Sequence, residues 1–277
     1  MVADDPGIKA GMMWGRDGKK VPVQRRGGFG RTDVNQFLSQ GIGFATVYYG
    51  DIEPDFADGI KYGIRSVYLK EGQTTPASDE WGAISAWCWG LGRAMDYFEK
   101  DPLIDSKRIA LFGVSRLGKT VLWAGAHDTR FGMVIASCGG EGGAAISRRN
   151  YGETISHMTH PTRYFYQFAG NWSNYRDDPS KSPVDGHMLV ALMAPRPLLL
   201  QTGDKDFWSD PKGEFIAASE GGKVYEFLGK RSLGTGTWPA AGTPILNDLG
   251  YYMHAGGHGA LPADYEVFIR FMKMHFF

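Results

Sequence analysis

The chain has 277 residues, 43% of them apolar, with 30 basic side chains against 30 acidic ones and 39 glycines. That apolar content excludes a disordered chain, the balanced charge gives no bulk positive field for nucleic acid, and no run of about 18 uncharged apolar residues offers a membrane span. The two cysteines, Cys88 and Cys138, are too few for a disulfide framework or a zinc knuckle, and MVADDPGIKAG (1–11) lacks the basic and apolar regions of a signal peptide.

Residues 1–40 are glycine-rich and mixed in charge, with no strand pattern. IGFATVYY (42–49) reads as a buried strand, ended by Asp51 and Pro54. After a loop with Gly72 and Pro76, Asp79 is the expected N-cap of a helix. Ile84, Trp87, Leu91, Ala94, Met95 and Phe98 keep helical spacing there until Asp101-Pro102. RIALF (108–112) is a short strand, followed by Gly113 and a helix to about Ala126. MVIAS (133–137) and PLLLQT (197–202) are further strands. A helix is expected over 210–220, a strand over Val224–Leu228, a last strand over Tyr251–His254, and a final helix from about Pro262. This alternation predicts an α/β protein with a mostly parallel sheet. No repeat, low-complexity tract or linker divides it, so the expectation is one domain over 1–277, with 1–40 an irregular N-terminal part.

GVSRLGKT (113–120), between a predicted strand and helix, carries the functional question. It matches the phosphate-cradling pattern G-x-x-x-x-G-K-[ST], with Lys119 on the terminal phosphate and Thr120 on magnesium. It also reads as a nucleophile elbow presenting Ser115, although Leu117 stands where G-x-S-x-G wants glycine, which comes at Gly118. A nucleotide site needs a second acidic magnesium ligand at the end of a neighbouring strand. The strand ending at Cys138 supplies none, and Asp204 is a poor substitute. An acyl-transfer site needs an acid and then a histidine downstream. GDKD (203–206) follows a hydrophobic strand, and GGHG (256–259) precedes the final helix. The elbow reading is preferred.

The same loop is similar to the nucleophile motif of glucuronoyl esterases, carbohydrate esterase family 15, and most resembles bacterial members. The resemblance runs from about Asp5 to the C-terminus. It takes in YYGDIEPDF (48–56), DEWGAISAWCWGLGRAMDY (79–97), EGGAAISRRNYGET (141–154), VDGHMLVALMAPRPLLL (184–200), DFWSDPKGEF (206–215) and GGHG (256–259). It implies an α/β-hydrolase fold, a three-layer αβα sandwich here lacking its first N-terminal strands, which residues 1–40 do not supply. It also implies a cofactor-free, metal-independent serine esterase of glucuronic or 4-O-methyl-glucuronic acid esters, as in lignin–glucuronoxylan linkages, secreted or periplasmic by family.

Under that resemblance Ser115 attacks the ester carbonyl and His258 is its general base. Arg116 contributes to the oxyanion site, and Lys119, Glu153 and Trp208 contact the sugar. The family's common position for the triad acid, just after the strand following the elbow, is Cys138 here. Asp206 takes that role as some bacterial members do, with Glu141 as the alternative. Rival readings are a promiscuous small-acyl carboxylesterase, an inactive hydrolase-fold carbohydrate-binding protein and, remotely, a nucleotide-binding protein through 113–120. Glu153, His157 and His160 could share a helix face as metal ligands, but without a recognised spacing. Cys88 and Cys138 are expected as buried thiols.

Overall fold

A computed structural model describes residues 12–15, 17–22 and 32–277. In chain order the elements are β1 (Met12–Trp14), β2 (Lys20–Pro22), α1 (Val34–Leu38), α2 (Tyr49–Ile52), α3 (Ala83–Phe98), β3 (Ala110–Val114), α4 (Arg116–His127), β4 (Met133–Ser137), α5 (Ile155–Met158), α6 (Gly186–Ala191), β5 (Leu198–Gly203), α7 (Pro211–Phe227), β6 (Leu249–His254) and α8 (Pro262–Phe276). β3–β6 form a parallel sheet in the order β3-β4-β5-β6, with Val114 opposite Ser137 and Gly203 opposite His254.

Successive side chains of a strand face opposite sides of a sheet, and a parallel sheet must be covered on both. Val134, Ala136, Leu198, Leu200, Leu249, Tyr251 and Met253 pack with Val121 and Leu122 of α4, Val190 of α6 and Phe215 and Tyr225 of α7. Met133, Ile135, Leu199 and Tyr252 face the other way, onto Tyr265, Phe268, Phe271 and Met272 of α8 and Phe37 of α1. The result is the αβα sandwich expected of an α/β-hydrolase.

Four local expectations are corrected. About half of the irregular segment over 1–40 lies outside the described residues, but where described it holds an antiparallel pair, β1 with β2, and α1, capped by Asp33. IGFATVYY (42–49) is not a strand: Ile42 and Phe44 pack against the α8 side of the core, but the run has no ladder partner among the described residues. A strand without a partner leaves its backbone groups to water. Asp79 does not cap α3, since Gly82 stands at the N-cap, where a Cβ would meet Gln167 O at 2.3 Å. Val224–Leu228 is not a strand but the end of α7. Gly221 and Gly222, which look like a break, let α7 approach its neighbours closely: a Cβ on Gly221 would lie 2.8 Å from both His187 O and Val190 Cγ1.

Candidate active site

Four consecutive strand ends build one crevice at the carboxyl edge of the sheet, where open α/β sheets bind ligands. Ser115 follows β3, Cys138 follows β4, Asp206 lies beyond β5 and His258 beyond β6. The turn at Ser115 is strained, with φ 61° and ψ −125°, a region L-residues seldom adopt. Its N–H donates to Ser137 O at 2.8 Å, which ties the turn to β4. The two glycines around it are sterically required. A Cβ on Gly113 would lie 2.3 Å from Leu117 O, and one on Gly118 would lie 2.4 Å from Ser137 O. Gly118 therefore makes the close helix–sheet approach, and Leu117 is free to differ from the usual elbow pattern.

A cavity of about 210 Å³ opens at this edge, lined by Ser115, Arg116, Lys119, Glu153, Trp208 and His258 together with Met158, Tyr164 and Gln167. Six of the sequence candidates thus meet in one place, from segments that span the chain. Behind His258, its Nδ1 lies 2.8 Å from Asp206 Oδ2 and 3.2 Å from Ser209 Oγ. Asp206 is buried. Burial alone would raise its carboxyl pKa, but the hydrogen bonds from His258 and Ser209 outweigh that and hold it below the usual carboxylate range. Glu141 is buried elsewhere: its Oε1 accepts from Ser147 Oγ and from Gly142 N–H. Burial pushes its pKa up to about 7, against the Ser147 hydrogen bond and the charge of Lys119.

Lys119 is buried in the cavity wall, its Nζ donating to Gly139 O and Glu153 Oε2, both at 2.8 Å. Thr120 Oγ1 donates to Arg116 O at 2.8 Å. Both side chains are engaged by protein groups, which favours the elbow reading over the nucleotide one. Glu153 is joined to the Trp208 segment through Glu153 N–H to Trp208 O, 2.7 Å. The Trp208 ring, 43% exposed, meets the edge of His157 at 4.5 Å. His160 Nδ1 lies 3.0 Å from Thr162 Oγ1, and among the described residues Glu153, His157 and His160 do not bring their ligand atoms together as a metal site would need.

Among the described residues the metal-ligating types that do converge are Cys138, Asp206 and His258, with ligand atoms within 4.8 Å of one another. Cys138 Sγ accepts Gly259 N–H at 3.2 Å, and burial, reinforced by the charges of Glu214 and Asp206, pushes the thiol up to about 12. Below it the fully buried Glu214 accepts Gly140 N–H at 2.8 Å, and burial raises its carboxyl far above the usual range. The second cysteine, Cys88, is likewise a free thiol.

The sequence reading missed Asp55. One carboxylate oxygen accepts from Arg116 Nη1, and the other accepts from Tyr166 OH and Gln167 Nε2, each at 2.8 Å. Its motif, YYGDIEPDF (48–56), was legible, but nothing local in it points to Arg116.

A parallel sheet that hands a serine, an acid and a histidine to one crevice, in that chain order, is how a serine hydrolase of the α/β-hydrolase class is built. The comparisons narrow the class. The family model described as glucuronyl esterase, fungi, matches residues 74–229. Carbohydrate esterase MZ0003, from an unknown prokaryotic organism, is 44% identical over 246 residues, 89% of this chain and 56% of that protein. The structure of a glucuronoyl esterase from Solibacter usitatus superposes with a TM-score of 0.94 at 46% identity, covering 99% of this chain and 70% of that one. A CE15 glucuronoyl esterase from Teredinibacter turnerae gives 0.81 at 33% identity, covering 87% and 57%. The chain belongs to the glucuronoyl esterase family, carbohydrate esterase family 15. It spans little more than half the length of the curated carbohydrate esterase it matches.

Proposed function

We propose that this chain is a serine esterase that hydrolyses esters of glucuronic or 4-O-methyl-glucuronic acid, as in the linkages between glucuronoxylan and lignin, and acts outside the cytoplasm. The observation that carries the reading is the single cavity that holds Ser115, Arg116, Lys119, Glu153, Trp208 and His258, with Asp206 on the far side of the imidazole. At about 210 Å³ it is smaller than the roughly 300–1,000 Å³ of drug-sized sites, so one sugar ring fills it and the alcohol stays outside.

Ser115 Oγ attacks the ester carbonyl while His258 Nε2 takes its proton; Nδ1 is committed to Asp206, which fixes the tautomer and stabilises the imidazolium. The oxyanion forms at the N-terminus of α4, where the Arg116 N–H and guanidinium oppose the developing charge. His258 returns the proton to the departing alcohol, and water then releases the uronic acid by the same steps. Lys119 has three donors, and two are used by Gly139 and Glu153. The third, with Glu153 and the Trp208 ring, suits the hydroxyls and face of a sugar. No helix of the described residues is long and apolar enough to cross a membrane.

The test is hydrolysis of benzyl glucuronate by the chain and by Ser115→Ala. Turnover that falls by about 10³-fold or more in the variant is the expected result; turnover that persists refutes the serine mechanism. Lys119→Ala separates uronate recognition from a general small-acyl esterase, because only the former loses its preference for benzyl glucuronate over p-nitrophenyl acetate.

A further inference from the structure

Arg116 leaves the elbow on the first residue of α4 with a long side chain that has many rotamers. A guanidinium contributes to an oxyanion site only if its position is fixed before the charge develops. Two groups fix it here. Tyr164 presents its ring 5.1 Å from the guanidinium carbon, and the Asp55 carboxylate takes Nη1. Asp55 can only accept, and its second oxygen is filled by Tyr166 OH and Gln167 Nε2, so the carboxylate cannot rotate away without breaking those bonds.

Asp55 is itself firmly mounted. Two residues earlier, Glu53 is fully buried and accepts from Arg65 Nε at 2.8 and 3.0 Å, while the Trp87 indole donates to Glu53 O at 2.8 Å. Arg65 Nη1 in turn donates to Trp81 O at 2.8 Å. The backbone just beyond is tight: a Cβ on Gly59 would lie 2.0 Å from Pro54 O. A bracket of buried groups thus carries one partly exposed carboxylate to the edge of the cavity, and that carboxylate meets Arg116.

We propose that Asp55 is a positioning residue that holds the Arg116 guanidinium at the oxyanion site and couples it to Gln167 in the cavity wall and to the neighbouring Tyr166. The inference rests on the reading of Arg116 given above. Through Arg116 it acts on the transition state, so its loss lowers kcat rather than raising KM.

The experiment is a double-mutant cycle on benzyl glucuronate hydrolysis, with Asp55→Ala, Arg116→Ala and both together, and Asp55→Asn as a milder variant that keeps one acceptor. Circular dichroism melting confirms that each sample is folded. Asp55→Ala is expected to lower kcat about 10- to 100-fold with KM changed less than about threefold, since loosening a donor costs less than removing one. Asp55→Asn should fall between it and the parent. The double variant should be no slower than Arg116→Ala within about threefold, because a residue acting through Arg116 has nothing left to position. A structural role predicts the same loss in both backgrounds, and that additive result overturns the proposal. So does an Asp55→Asn or Asp55→Ala enzyme with unchanged kcat while Arg116→Ala is impaired. If Arg116→Ala itself keeps full kcat, the oxyanion reading of Arg116 fails and the inference with it; only Ser115→Ala bears on the serine mechanism.

Discussion

Asp206→Asn is the sharpest perturbation of the site. The carboxylate oxygen lies 2.8 Å from His258 Nδ1, and Asp206 is 3% exposed. In the proposed mechanism His258 takes the serine proton, and the imidazolium that forms has its charge centre roughly 4 Å from that carboxylate. At an effective dielectric of about 20 the pair is worth about 4 kcal/mol, or about three powers of ten in rate. The amide adds a second fault. Its NH₂ can donate to Nδ1 and hold the ring in the wrong tautomer, and such changes cost about 10⁴-fold in kcat elsewhere. Ser209 Oγ, 3.2 Å from the same Nδ1, can accept the displaced N–H and limits the loss. The expected fall in kcat on benzyl glucuronate is therefore about 10³- to 10⁴-fold, with Glu141→Gln within about threefold of the parent. The reverse pattern, a tolerant Asp206→Asn and a crippled Glu141→Gln, would refute the assignment of the acid. Stability gives a second readout. A carboxyl whose folded pKa lies below its unfolded value stabilises the fold above the unfolded pKa and loses that contribution as pH falls through the folded one. The gap in melting temperature between parent and Asp206→Asn should thus be largest near neutrality and close in acid.

Two further predictions concern buried charge. Burial raises the Glu141 pKa to about 7, so the folded state binds the proton more tightly than the unfolded chain and stability declines as pH rises from about 4.5 to about 7. Glu141→Gln, which keeps an acceptor for Ser147, should flatten that decline, on the order of 3 kcal/mol at most, in urea unfolding at pH 5 and pH 7.5; an unchanged slope would show that Glu141 is not its source. Lys119→Met leaves the Glu153 carboxylate buried without its cation and should cost about 3–5 kcal/mol. Adding Glu153→Gln should recover most of that stability in urea unfolding while uronate ester turnover stays low. Recovery of both would mean that the pair supports the fold and does not select the substrate.

The parts of the fold legible in the sequence were those that pattern and steric need both dictate. β4 and β5 are buried on both faces, and MVIA (133–136) and LLL (198–200) within them read as continuous apolar runs. Ser115, Asp206 and His258 were legible as candidates because each follows a strand with a turn-forming neighbourhood, and the structure brings Ser115 and His258 to one cavity with Asp206 2.8 Å from His258 Nδ1. The failures share a cause in tertiary contact. Val224, Tyr225 and Phe227 favour strands by propensity, yet α7 continues through them because the glycines before them serve close packing against α6. The apolar run at 42–49 had the composition of a strand but no partner to pair with. Asp55 was invisible as a site residue because its partners, at 116, 166 and 167, come from three other parts of the chain.

The thiol of Cys138 shows how the site limits its negative charge. Asp206 and Glu153 each have a basic partner, His258 and Lys119. Cys138 and Glu214 lie among the same groups, and burial disfavours the charged form of both, pushing the thiol up to about 12. A second carboxylate at 138 would face Asp206 directly, and two carboxylates sharing a site cannot both ionise freely. The acid can therefore sit at either strand end, but not comfortably at both. Cys138 has φ 49°, a conformation that aspartate tolerates better than most residues, and its sulfur already lies within 4.8 Å of the His258 ligand atom. In the Asp206→Asn background, Cys138→Asp should restore at least about tenfold of the lost kcat, since imidazolium stabilisation depends on charge and distance more than on which strand supplies the carboxylate. A double variant no faster than Asp206→Asn, in a folded sample, would show that catalysis depends on the Asp206–His258 geometry rather than on a nearby negative charge.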